Sequence, residues 1–352
     1  MRVTQRDIAK KLQLSPSLVA GVLNDRPNVW VSNENRKRIV STAKEMNYRP
    51  NAAARALRSG KTNVVACVFF ESPGHHAIVE TLAVSLANIG YDLIVKVVRD
   101  TAQAKQRIES LISRSACDAF VLWGQENDIE QPALILEQEK IPFVVKGHFE
   151  ENHPNWYQVD FNHVKMMEQV VEHFYMHGHR RIAYMGYQHG MVYERKLLEG
   201  FQREIQRITG EMVPNEYIMV ANKEQYHNED NSKVVEEELI RLMSLPEMER
   251  PTAIAINAGW GPWLTIELTL AKMGLKIGLE PGDIAVAGTG GDEIPLLFGE
   301  GSMYSGTDVI NLANIIAAQF LAKLLAGEQP ENHIELLLPS LEIHPSLKLR
   351  FN

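Results

Sequence analysis

The 352-residue sequence holds only two cysteines, Cys67 and Cys117. Two thiols cannot staple a disulfide framework, and no Cys/His cluster has zinc-finger spacing. Both are expected as buried thiols. Long apolar runs are also missing: the most apolar stretch, 310–325, is broken by Asn311, Asn314, Gln319 and Lys323, so it reads as an amphipathic helix and not a membrane span. The first residues, Met1-Arg2-Val3-Thr4-Gln5-Arg6, have no apolar signal core, and a cytoplasmic location is expected. There is no Walker sequence and no Gly-x-Ser-x-Gly elbow. Gly288-Thr289-Gly290-Gly291 follows an apolar run but lacks the full dinucleotide fingerprint. His177 and His179 stand beside Arg180 and Arg181, where surface or helix-end roles outweigh metal ligation. Neither a cofactor nor a metal is expected, and an enzyme is the weaker class.

What is present is charge, unevenly placed. The formal net charge is −8. Residues 1–62 carry 13 Lys and Arg against 4 Asp and Glu, a surplus of +9, whereas the remainder carries 23 against 40, a deficit of −17. A basic head on an acidic body suits a polyanion-binding module joined to something larger.

The head has helix-start signals at regular intervals. Thr4 can cap a first helix with Asp7 at its third position, and Ile8, Ala9 and Leu12 give that helix an apolar stripe. Ser15 is a good N-cap, followed by Pro16 where its missing N–H costs nothing. Leu18, Val19, Val22 and Leu23 form an inward face, leaving Ser17, Ala20, Gly21 and Asn24 as a small, polar outward one. Ser32 starts a third helix. Two short helices and a tight turn backed by a third is the helix-turn-helix arrangement, whose second helix fits a major groove. Beyond Pro50, Asn51 can cap an alanine-rich helix that is too short to be stable alone and that projects Leu57 between Arg55 and Arg58. Such a segment folds against a partner; in a minor groove Leu57 could wedge into a base step.

Thr4-Gln-Arg-Asp7-Ile-Ala9-Lys, Leu14-Ser15, Val22-Leu23-Asn24, Val31-Ser32, Tyr48-Arg-Pro50-Asn51 and Ala54-Arg55-Ala-Leu57 together resemble the DNA-binding head and hinge of the lactose-repressor (LacI/GalR) family. The resemblance implies a DNA head, a hinge helix that orders on an operator, and a periplasmic-binding-protein-like sensor that dimerises. It places Leu57 at the hinge leucine and puts Pro16, Ser17 and Gly21 at base-reading positions. Gly21 departs from the pattern, since glycine has no side chain to read a base. Gln13 replaces a turn glycine, and the stretch from Asn24 to Val31 is lengthened, with Trp30 inside it. The expected DNA-binding set is Thr4, Ser15, Pro16, Ser17, Leu18, Gly21, Asn24, Asn51, Ala54, Arg55, Leu57 and Arg58.

From residue 63 apolar runs alternate with helical stretches. Strands are expected at 64–70, 91–98, 118–123 and 141–145, then at 181–186, 216–220, 252–257 and 283–288. Two such sets predict two doubly wound parallel-sheet α/β subdomains facing across a cleft. The whole is a multidomain chain with an all-α head. Its expected division is 1–50, a hinge at 51–62, and a sensor at 63–352. Within the sensor, 63–161 with 291–322 would form one subdomain and 162–290 with 323–345 the other. The resemblance continues through Val159-Asp160-Phe-Asn162, 177–186 and Glu199-Gly200-Phe201. Ligands of open α/β sheets sit at carboxyl ends of strands, and the expected effector set is Phe70, Ser72, Trp123, His148, Tyr193, Arg195, Asn257, Trp260 and Asp292. By resemblance Asn257 matches an effector contact, Leu197 replaces an effector arginine, and Gly147, Ala258 and Gly290 stand at positions often acidic. The expected function is a dimeric, double-stranded-DNA-binding repressor answering to a small carbohydrate. A free solute-binding protein of the same sensor fold is the alternative.

Overall fold

The computed structural model describes residues 3–24, 29–49, 56–57, 59–70, 75–124, 126–147, 153, 155–188, 192–222, 231–257, 260–278, 282–289, 301–304, 306–338 and 341–344. The chain divides into two compact units, 1–62 and 63–352.

The first unit holds helices α1 (Gln5–Leu12), α2 (Pro16–Leu23) and α3 (Asn33–Glu45). Each begins at the side chain that its sequence supplies. Thr4 and Asp7 form a reciprocal capping box, with Asp7 N donating to Thr4 Oγ1 (3.3 Å) and Thr4 N to Asp7 Oδ2 (2.8 Å). Hydrogen bonds from the Thr4 side chain and backbone hold the Asp7 carboxyl below its ordinary range. Ser15 Oγ accepts from Leu18 N at 3.2 Å with Pro16 at the first helical position, and Ser32 Oγ accepts from Asn35 N at 3.3 Å. Gln13 ends α1 with φ +53, a left-handed geometry that glycine adopts more cheaply. Ile8, Ala9, Val19, Val22, Ile39 and Ala43 form the core.

The second unit contains two six-stranded sheets. In the first the order is β11-β5-β4-β3-β1-β2, from β1 (Val64–Phe70), β2 (Asp92–Val98), β3 (Ala119–Trp123), β4 (Phe143–Lys146), β5 (Tyr157–Phe161) and β11 (Ile334–Leu337), all parallel. β1 alternates Val65, Cys67 and Phe69 toward α4 (His75–Asn88) and α11 (Gly306–Leu325), and Ala66, Val68 and Phe70 toward α5 (Thr101–Ser113) and α6 (Glu126–Gln138). Burial on both faces explains why these strands read as unbroken apolar runs.

In the second sheet the order is β12-β10-β9-β8-β6-β7, from β6 (Ile182–Gln188), β7 (Ile218–Asn222), β8 (Ala253–Asn257), β9 (Ala285–Thr289), β10 (Gly301–Tyr304) and β12 (Leu341–His344); β12 runs antiparallel to β10. α7 (His163–Met176) and α8 (Val192–Thr209) cover one face, α9 (Asn231–Met243) and α10 (Trp260–Lys272) the other. α7 and α8 approach so closely that a Cβ on Gly200 would lie 2.3 Å from the Val164 carbonyl oxygen.

The expected subdomain boundaries need correction in the last third. Residues 301–304 pair with β9 in the second sheet, not the first, and 334–337 pair with β5 in the first. The chain recrosses after β10 and again between β11 and β12, because α11 packs on β3, β4 and β5 and carries its own C-terminal end into the first subdomain. Cys67 is buried as expected, but Cys117 is only half-buried.

Candidate functional site

On the head, Thr4, Ser15, Pro16 and Ser17 are exposed, and Leu18 and Asn24 half-exposed. Ser15 and Ser17 hydroxyls lie 3.2 Å apart, so the start of α2 presents two hydroxyls at a helix N-terminus, suited to phosphate oxygens. Asn24 Nδ2 donates back to the Ala20 carbonyl and closes the helix. Gly21 is the exception to the outward-face reading. It is buried, and a Cβ there would meet Val29 Cγ2 at 2.4 Å. Val29 packs against α2 at this point, which helical spacing alone could not reveal. Gly21 therefore offers no surface to a base.

In the hinge segment, Ala56, Leu57 and Ser59 take helical backbone, and Gly60 N donates to Ala56 O at 2.8 Å before leaving at φ +70. Leu57 is 89% exposed. Asn51, Ala54, Arg55 and Arg58 lie outside the described residues.

The body carries a cavity of 240 Å³ where strand ends of the first subdomain meet α7 and α8 of the second. It is lined by Trp123, Gly124, Lys146, Gly147, Val159, Asp160, Phe161, His163, Tyr193 and Ala313. Of the expected effector residues, Trp123 and Tyr193 line it. Phe70 does not: it is buried in the core against Gly124. Arg195 is exposed and Asn257 buried, and neither is among the lining residues. Asn257 Nδ2, at the end of β8, has no hydrogen-bond partner among the described residues. Ser72, His148 and Asp292 lie outside the described residues, as does the side chain of Trp260.

Lys146 is the functional candidate that the expected set omitted. It ends β4 opposite Trp123 on β3, with its Nζ 3.5 Å from the Trp123 ring centroid and 2.5 Å from Asn314 Oδ1 on α11. Asn314 in turn donates to Thr81 Oγ1. Burial holds the ammonium well below its ordinary range, with the Cys67 thiolate form acting the other way. A lysine ending a strand with both faces covered was the available signal, since an ionisable group there must find special partners. His163 stands 3.7 Å from Asp160 Oδ1. Burial, then Lys196, pulls its imidazole down to about 4, so it is neutral at pH 7. The cavity combines an aromatic wall with a few convergent polar groups, as small polar ligands require.

His177 caps α7 with Nδ1 at 2.8 Å from His173 O, and His179 Nδ1 lies 3.0 Å from Thr252 Oγ1. Among the described residues no group of three or more His, Cys, Asp or Glu could hold a metal ion, and no helix is long and apolar enough to cross a membrane.

Comparison with known proteins bears on this arrangement. The profile of the periplasmic binding protein-like domain matches residues 171–345. The HTH-type transcriptional regulator MalR of Streptococcus pneumoniae (serotype 4) is 26% identical over 214 residues, which covers 58% of this chain and 63% of MalR. Catabolite control protein A of Staphylococcus epidermidis is 25% identical over 208 residues, 57% of this chain and 61% of that protein. The matched stretch thus spans less than two thirds of these relatives' lengths. Among solved structures, the lac repressor dimer bound to operator and the anti-inducer ONPF superimposes with a TM-score of 0.74 at 19% identity, covering 99% of this chain and 100% of that one. The CelR–cellobiose complex gives 0.62 at 19%, covering 98% and 100%. These likenesses show the fold. Head motifs, sequence relatives and fold all agree with the resemblance to the LacI/GalR family.

Proposed function

We propose that this chain is a cytoplasmic, sequence-specific DNA-binding transcriptional repressor whose operator affinity is set by a small carbohydrate effector. The observation that carries it is a capped three-helix head of net charge +9, with an exposed α2 N-terminus, joined to a two-sheet sensor of net charge −17. We divide it functionally as head 1–50, hinge 51–62 and sensor 63–352. The division into compact units at 62/63 supports the sensor boundary. MalR and catabolite control protein A, by their names, are regulators, and binding rather than turnover is the activity assigned here.

Two copies would place their α2 helices in successive half-sites of a pseudo-palindrome, with the Leu57 side chains entering the minor groove between them. The operator-bound lac repressor dimer supports the duplex and the pairing. Val84 on α4 and Val97 on edge strand β2, large apolar side chains 57% and 50% exposed, support the pairing. The cavity between the subdomains takes the effector, and the cellobiose complex of CelR supports a sugar. Trp123 and Tyr193 supply stacking faces for a pyranose. The effector acts on the hinge only to the extent that it binds two subdomain arrangements unequally.

A salt-titrated gel shift tests the assignment. Duplex affinity of the full chain should fall steeply with salt as counterions are released, and residues 63–352 alone should not bind. A full chain that ignores duplex DNA while binding sugars would favour a solute-binding protein instead.

A further inference from the structure

The recognition helix lacks a base-reading group at its centre, and the loop beside it offers one. Val29 rests directly on the backbone of α2, because Gly21 leaves the room: an added Cβ would sit 2.4 Å from Val29 Cγ2 and 3.0 Å from Cγ1. Val29 joins the partly buried rim of the head core. The next residue, Trp30, is 99% exposed, more than any other large apolar side chain among the described residues. Two residues later Ser32 caps α3. Trp30 therefore emerges in sequence between Val29, seated on α2, and the cap of α3, on a unit whose surplus of +9 suits a polyanion.

We propose that Trp30 is a DNA-contacting, specificity-determining residue that supplies the contact position 21 cannot make. This rests on the head binding duplex DNA through α2. The indole offers a flat apolar face and a single N–H donor. In the major groove the apolar feature is the thymine 5-methyl group, so Trp30 reads a thymine. Gly21 acts as a positioning residue: its missing Cβ lets Val29 seat, and Val29 fixes where the next side chain emerges.

The test uses the full chain and a duplex enriched from a random pool by the wild type. Affinities of wild type, Trp30→Ala, Trp30→Phe and Gly21→Ala are measured on that duplex, on its uracil-for-thymine version, and on a random 30-bp duplex. Trp30→Ala should bind the enriched duplex about tenfold more weakly, in line with the range for base contacts, and the random duplex within about twofold of wild type. Uracil replacement should weaken wild type but not Trp30→Ala; Trp30→Phe should keep most of the preference, and Gly21→Ala should shift in the direction of Trp30→Ala. Unchanged binding by Trp30→Ala would overturn the proposal. So would an equal loss on both duplexes, which marks a phosphate contact, or a uracil effect of the same size with and without the indole. A wild type that enriches no duplex would instead remove the DNA-binding reading itself.

Discussion

Truncating Leu57 to alanine should separate binding from stability. Leu57 is 89% exposed in the free chain, so the change removes almost no native packing and the melting temperature should not move. In a minor groove the same side chain would be buried between bases. Full burial of a leucine side chain is worth about 1.5–3 kcal/mol, and alanine keeps only one of its four carbons. About 2 kcal/mol per hinge should therefore be lost, roughly 30-fold at about 1.4 kcal/mol per tenfold. Two hinges on one operator bring this to about 4 kcal/mol, less whatever unstacking cost the alanine spares. Fluorescence anisotropy on an enriched duplex should show a loss of two to three orders of magnitude by that reckoning. Binding to random duplex, driven by phosphate neutralisation, should stay within about twofold. An equal loss on both duplexes would refute the wedge. A clearly lowered melting temperature would show that Leu57 packs within the protein instead.

Other consequences can be measured on the same material. Gly200→Ala should lower the urea midpoint by the equivalent of about 1–3 kcal/mol, because its Cβ meets the Val164 carbonyl. Helix propensity alone would raise stability by about 1 kcal/mol, so a higher midpoint would contradict the close α7–α8 contact. His163 is held down at about 4 by burial and by Lys196. The unfolded chain thus takes up the proton first as pH falls below about 6.5, and stability present above that pH is lost progressively down to about 4, by at most about 3 kcal/mol. His163→Gln should flatten part of this slope. His173, half-buried and depressed to about 4 as well, and His179, also lowered by burial, contribute to it too; an unchanged slope would rule His163 out. Residues 63–352 alone should be folded, dimeric and stabilised by a sugar ligand in a thermal-shift screen, and a monomeric or unfolded product would contradict the proposed division.

Legibility in the sequence followed burial. β1 at 64–70 matches its expected span to the residue, because a two-sided apolar run carries its own signal. β5 escaped the apolar-run reading: Gln158 and Asp160 are buried within it, and Gln158 N is satisfied by the His333 carbonyl from a segment about 175 residues away in sequence. β10, Gly301-Ser302-Met303-Tyr304, has no run at all, so the recrossing points were misplaced. In the head, caps were fully legible, since a cap is a contact within three residues. The fate of Gly21 was not, because it depends on where Val29, outside α2, comes to rest. In the cavity, Trp123 and Tyr193 were legible as aromatic groups near strand ends and helix starts. Lys146 and Asn314 were not, because 168 residues separate the two ends of their hydrogen bond.

The most direct test of the whole account is the symmetry of the DNA that the intact chain selects from a random duplex pool. Paired heads on a two-fold axis should enrich inverted repeats, with half-sites about one helical turn apart and a deformable step at the centre. Enrichment of a single asymmetric half-site, or of no sequence, would contradict it.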